Sequence, residues 1–254
     1  MIIVYTSDVS PDRPSRRAVL VLLAVTALSL ALELVFGVFG TVRRDGDGWT
    51  ARDPVPLPEP REVSELSVEA AIAARRSRRD YADRALERRE LGQLLWATQG
   101  VTDRRSGYRA APSAGALYPL EVYVVVGSPG VEGLDSGVYR YRPAAHELDQ
   151  GSAGDVQPAL REAAADQASV EAAAVDIVLF GVDERTTGRY GERGSERYVP
   201  MEAGHAGENL CLQAEALGLA TVPVGAFGDD RVRDIVGAPA DQRPLYVFPV
   251  GARP

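Results

Sequence analysis

AAPSAGALYPLEVYVVV, residues 110–126, joins two kinds of sequence with different physics. Ala111-Pro112-Ser113-Ala114-Gly115-Ala116 is a loop of small residues, thin enough to let backbone N–H groups approach a flat or anionic ligand closely. Residues 121–126 are β-branched and aromatic, the composition of a strand feeding a core. Pro119 marks the junction, since a residue without an N–H suits a strand start. A small-residue loop running straight into a buried strand is a ligand floor or a plain turn, and this stretch alone leaves both open.

Upstream, Ser67 is placed to cap a helix through Val68, Ala71, Ile72 and Ala74. That helix runs into Arg75-Arg76-Ser77-Arg78-Arg79-Asp80-Tyr81. The cluster reads either as a solvated helix end complementing the helix dipole or as a phosphate clamp, because guanidinium forks bind phosphate bidentately. Residues 86–98 form an amphipathic helix with Leu91, Leu94, Leu95 and Thr98 on one face, ended by Gly100.

Downstream, residues 137–141 alternate like a strand, and His146 falls in a polar surface turn. Residues 157–174 are Ala-rich and expected helical, and residues 175–181 are a continuous apolar strand buried on both faces. Residues 186–198 are polar and carry Arg189, Tyr190, Arg193, Arg197 and Tyr198. Pro200 then opens a long helix to Leu217, closed by Gly218. Cys211 lies within it as an inert core thiol, and His205 is a packing residue or a ligand donor. Residues 219–227 and 245–250 read as further strands, and Arg253 stands near the end.

The chain has 254 residues and a formal net charge of −8, which argues against nucleic acid as a partner. All 28 basic residues are arginine. One cysteine and two histidines exclude an internal disulfide and disfavour a Cys- or His-rich metal centre. No G-x-G-x-x-G dinucleotide fingerprint and no Ser-His-Asp constellation is present. Residues 1–17 form an N-terminal tail. Residues 18–40 are an apolar run interrupted only by Glu33, long enough to anchor in a bilayer as one hydrophobic helix. Arg16 and Arg17 before it resemble a twin-arginine export signal. Residues 41–66 hold Pro54, Pro56, Pro58 and Pro60, the spacing of a semi-rigid linker, so the folded domain is expected over residues 67–254.

Three blocks then occur in one order: RRSRRDY at 75–81, APSAGALYPLEVYVV at 111–125, and RYGERGSERYVPMEAGHAGENLCLQAEALGL at 189–219, trailed by VPVGAF and PVGARP. Together they resemble the nitroreductase family of flavoproteins, in particular its SagB/ThcOx-type dehydrogenase branch, over nearly three quarters of the chain. The resemblance implies an α+β fold, a mixed antiparallel sheet wrapped by helices, in a homodimer with FMN at the subunit interface. It implies that Arg75, Arg76, Ser77 and Arg79 hold the FMN phosphate and pyrimidine edge, with Arg253 closing on the phosphate. It further implies that Pro112, Ser113, Ala114 and Gly115 approach the isoalloxazine from the second subunit, and that Pro223, Val224, Gly225 and Ala226 lie against the ring and offer an N–H. Azoline-oxidising members of this branch use a Lys-Tyr pair before the long helix; the matching positions here are Arg189 and Tyr190. Tyr190 can relay a proton, whereas Arg189 is locked in its charged form. The expectation is a membrane-tethered FMN-dependent oxidoreductase acting on a small-molecule or peptide substrate. The alternatives are an NAD(P)H-dependent nitro- or quinone reductase and a flavin-retaining accessory protein without turnover.

Overall fold

The computed structural model describes residues 54–254. Strand β4 (Leu120–Val126) lies at the centre of a seven-stranded sheet in which every ladder is antiparallel. Its neighbours are β5 (Gly137–Arg142) and β7 (Val175–Val182). Beyond β5 come β6 (Glu147–Ala153) and then β1 (Val55–Pro56); beyond β7 come β9 (Gln242–Ala252) and β8 (Leu219–Thr221). A separate hairpin pairs β2 (Val101–Asp103) with β3 (Tyr108–Arg109).

Period-two alternation divides the core into two faces. Val122, Val124, Val175, Ile177 and Leu179 turn toward Leu91, Leu94, Leu95, Ala203 and Leu210. Tyr123, Val125, Val178 and Phe180 turn toward Leu160, Val170, Val232 and Val236. Every residue of β7 is buried, because helices cover both faces of the sheet there. The first face carries α2 (Arg88–Gln99) and α6 (Val199–Ala216). The second carries α3 (Gln157–Ala163), α4 (Ala168–Glu171) and α7 (Asp229–Val236).

Several elements differ from the sequence expectation for local reasons. The proline-rich stretch is not wholly a spacer: Val55 pairs with Leu148, Pro56 with Glu147, and Leu57 is buried, so the folded unit takes in residues well before Ser67. A two-residue edge strand tolerates proline because its outer side makes no ladder. Leu86 forms a bridge with Val131, and α2 begins only after Glu87, which exchanges capping-box hydrogen bonds with Glu90. The Ala-rich segment splits into two helices at Ala165 and Asp166, both left-handed. The strand expected over residues 219–227 stops at Thr221 before Pro223, leaving one bridge from Val224 to Val247. Strand β6 escapes sequence reading because ELDQGSA is polar and only part-buried.

Ser67 caps α1 (Val68–Ala74) as expected, its Oγ accepting from the Ala70 N–H. Val68 and Ile72 nonetheless face outward, 66% and 58% exposed, as does Met201 of α6 at 53%. Among the described residues no helix is long and apolar enough to cross a membrane. The hydrophobic segment 18–40 and the arginine pair before it lie outside the described residues.

Candidate functional site

The loop before β4 holds an unusual backbone. Gly115, Ala116 and Tyr118 all have positive φ, at 64°, 53° and 47°. For the two non-glycine residues this conformation costs roughly 1–2 kcal/mol each, so it must be held from outside. Ser113 Oγ accepts from the Tyr118 N–H at 2.9 Å. The Tyr118 hydroxyl accepts from the Arg109 N–H at 3.3 Å, and the Arg109 guanidinium lies 4.6 Å over the Tyr118 ring. From α5 (Glu184–Tyr190), Arg185 donates to the Tyr118 carbonyl at 3.0 Å while pairing with Glu121.

Beneath the loop runs a buried polar chain. Arg109 Nη1 donates to Gln99 Oε1 at 3.0 Å, and Gln99 Nε2 donates to Glu202 Oε1 at 3.3 Å. Glu202 is 2% exposed. Burial pushes its carboxyl upward, opposed by the Ser113 and Gln99 side chains and by the Arg109 and Arg185 charges. Glu202 sits in the first turn of α6, where a carboxylate also complements the helix dipole.

The loop meets Arg189 and Tyr190. A Cβ on Gly115 would stand 2.7 Å from the Tyr190 hydroxyl and 2.9 Å from Arg189 Nη1, so only glycine fits there without displacing them. Helix α5 ends at Gly191 with φ 61°, and a single π-type turn, Gly194–Tyr198, leads into α6. That turn stacks Tyr198 edge-on against Tyr190 with ring centroids 5.0 Å apart. The Arg-Tyr pair and the small-residue loop are thus brought together within one chain.

The arginine cluster occupies the other end of α6. Arg75 caps α1 and lies 3.8 Å from Glu208, and Arg76 folds back to donate to the Ala73 and Arg75 carbonyls. The Arg78 N–H donates to the Thr221 carbonyl at 2.9 Å, tying this segment to the end of β8. Arg78 and Arg253 both ion-pair with the buried carboxylate of Glu215, and Arg253 Nε also donates to the Leu219 carbonyl. Arg253 is therefore engaged within the protein. Arg78 Nε has that 3.7 Å ion pair but no hydrogen bond, the Thr221 hydroxyl is buried without a hydrogen-bond partner, and Arg76 and Arg79 have no carboxylate within ion-pair range among the described residues. Two residues beyond Thr221 begins the turn Pro223-Val224-Gly225-Ala226. The Val224 N–H is spent on the Val247 carbonyl at 2.8 Å, while Pro223, Gly225 and Ala226 are exposed. A Cβ on Gly225 would meet nothing nearer than a Tyr246 ring carbon at 3.9 Å, so the backbone is open on that side.

This donor set fits a phosphate-bearing flavin: guanidinium groups without a carboxylate at Arg76 and Arg79, and two buried donors without a hydrogen bond, beside an open glycine turn. Arg78 was read only as part of the arginine cluster, and Glu215, Gln99, Glu202, Tyr118 and Arg185 were not legible as site residues. The one available signal was a carboxylate, Glu202, set among the small residues of α6.

Comparison with known proteins bears on the same region. Residues 72–252 match the Nitroreductase family. The Methanocaldococcus jannaschii protein MJ1384, which carries a nitroreductase name, is 42% identical over 192 residues, covering 76% of this chain and 94% of that protein. The Escherichia coli microcin B17-processing protein McbC is 30% identical over 165 residues, 63% of this chain and 60% of its own length. A nitroreductase-named crystal structure from Ralstonia eutropha JMP134 aligns with a TM-score of 0.69 at 26% identity, over 81% of this chain and 91% of that one.

Proposed function

The chain belongs to the nitroreductase family, and on that premise we propose that it is an FMN-dependent oxidoreductase of the SagB type, working as a homodimer. The observation that carries the reading is the approach of Arg189 and Tyr190 to Gly115, where a flat cofactor or substrate meets exposed backbone. When bound, FMN supplies the hydride chemistry, accepting from one substrate and passing on to another. The chain's own residues do the rest. Arg76 and Arg79, helped by Ser77 and by the Arg78 Nε and Thr221 hydroxyl, hold the phosphate. The N–H groups of Gly225 and Ala226 face the ring edge. Arg109, Gln99 and Glu202 keep the 112–118 loop in its left-handed form, and the Tyr190 hydroxyl holds or moves a proton beside Gly115.

Arg189 favours reduction of a quinone or nitro compound over azoline oxidation, because a guanidinium stays charged and cannot act as the base. Resemblance to a microcin-processing protein keeps a peptide substrate as the second reading. The outward apolar residues Val68, Ile72 and Met201 support a homodimer, since a stable interface would bury them. Residues 18–40 would tether the enzyme to a membrane. Replacing Arg16 and Arg17 by lysine and following localisation checks a twin-arginine route; unchanged localisation counts against it.

The test of function is an absorption spectrum of the purified full chain, followed by anaerobic addition of NADH or NADPH and then a quinone. Bound FMN that bleaches and recovers supports the proposal. A folded protein that stays colourless with added FMN overturns it, and one that binds FMN but never turns over is an accessory flavoprotein.

A further inference from the structure

Next to Gly115 the chain leaves positive charge without a carboxylate partner. The formal net charge is −8, and exposed arginines generally find carboxylates: Arg84 with Glu90 at 3.0 Å, Arg142 with Glu147 at 3.1 Å, Arg161 with Glu171 at 2.6 Å. Even Arg185, one turn before Arg189, pairs with Glu121. Arg189 and Arg193 have no carboxylate within ion-pair range among the described residues, although Glu184, Glu192 and Glu196 are close in sequence. Both guanidinium groups rest on phenols instead. Arg189 lies 5.4 Å from the Tyr190 ring centroid, Arg193 lies 5.8 Å from that of Tyr198, and Arg193 Nε donates to the Tyr198 hydroxyl at 3.0 Å. The two rings meet edge to face, so two cations and two phenols form one ladder beside the glycine.

We propose that Arg189 and Arg193 form a subsite for an anionic group carried by the substrate, a carboxylate or sulfonate on a planar reducible molecule. Neither guanidinium is neutralised by a carboxylate among the described residues, and the phenols hold them ready at little entropic cost to the ligand. A guanidinium fork matches a planar or tetrahedral oxyanion bidentately. Among other arginines without a carboxylate, Arg109 also lies over a phenol, that of Tyr118, but it and Arg88 donate to Gln99 and to the Gly133 carbonyl, and Arg76 and Arg79 lie at the phosphate end. The inference rests on the oxidoreductase reading for its substrate class, but the anion subsite itself can be tested without it.

Two measurements on the full chain separate the two ideas. The first is calorimetric binding of 1,4-naphthoquinone-2-sulfonate to wild type, Arg193→Gln and Arg193→Lys, at low and at physiological salt. The expected result is binding weakened about tenfold or more by Arg193→Gln, partly retained by Arg193→Lys, and weakened by salt in wild type. The second is reoxidation of photoreduced protein, comparing kcat/KM for the sulfonate with kcat/KM for unsubstituted 1,4-naphthoquinone. Wild type is expected to prefer the sulfonate, and Arg193→Gln to lose that preference. Equal binding by all three proteins, or an unaltered preference, overturns the subsite. Arg193-dependent binding in a protein that holds no flavin leaves the subsite standing and removes the oxidoreductase reading.

Discussion

Gly115 and Tyr190 stand so close that a single methyl group cannot be placed between them: its carbon would lie 2.7 Å from the phenolic oxygen. The glycine also has φ 64°, so the contact depends on a backbone form that L side chains adopt at a cost.

Gly115→Ala is expected to lower stability by about 1–2 kcal/mol from the left-handed backbone alone. It should also displace Tyr190 and cut turnover by more than the stability loss explains. Denaturant titration and steady-state rates check this. Adding Tyr190→Phe, which removes the crowded oxygen, should recover part of the stability lost, a coupling that a double-mutant cycle reads directly.

Glu202→Ala takes the acceptor from the buried Gln99 Nε2. Leaving a buried donor without a partner costs about 1–3 kcal/mol. The loss should concentrate at the loop, so hydrogen exchange at residues 113–118 should rise more than exchange in β7. Uniform acceleration across both would assign Glu202 to general stability alone.

Asp176, fully buried in β7, accepts from Gln157 Nε2 at 2.9 Å, while its own Oδ1 and Gln157 Oε1 have no partner. Burial holds its carboxyl well above the usual carboxylate range. Folding therefore takes up a proton, and stability falls as pH rises above the unfolded value of about 3.9 until the folded group ionises. Asp176→Asn removes that penalty and offers an N–H to Gln157 Oε1. It should gain about 1–3 kcal/mol at pH 8 and flatten the pH profile, measured by urea unfolding at pH 5 and pH 8.

His146 latches the N-terminal arm to the sheet. Its Nε2 donates to the Pro58 carbonyl at 2.9 Å, its Nδ1 accepts from the Tyr141 hydroxyl at 2.8 Å, and its carbonyl accepts from the Leu57 N–H at 3.1 Å. Burial lowers its pKa and Arg104 acts the same way, against the Pro58 hydrogen bond and Glu59. The folded state thus favours the neutral ring. The latch is intact above the unfolded value of about 6.5 and weakens as pH falls through and below it. Amide protection at Leu57 should drop between pH 7.5 and pH 5, and His146→Gln should remove the pH dependence.

What could be read in advance was what local physics writes. The continuous apolar run of β7 announced a strand covered on both faces, Ser67 announced a helix cap, and Pro119 stood just before β4. Resemblance supplied the fold class and the arginine and glycine candidates. The polar strand β6 and the arm strand β1 were illegible, because their pairing depends on partners far along the chain and not on their own composition. Arg78 looked interchangeable with its neighbours until its N–H was found on Thr221 and its side chain beside Glu215.

By itself the sequence determined where β7 and α1 begin and, to within a residue, where β4 and α6 do, since apolar runs, capping residues and prolines act over a few neighbours. It also determined that its cations are all arginine, and therefore permanently charged. Only the tertiary structure decided which of them pair with carboxylates and which meet the loops. Packing α6 against the central sheet carries Glu202 under the 112–118 loop and sets Arg189 and Tyr190 against Gly115. Those residues are scores of positions apart, and no local preference encodes their meeting; the burial of two apolar faces on one sheet does.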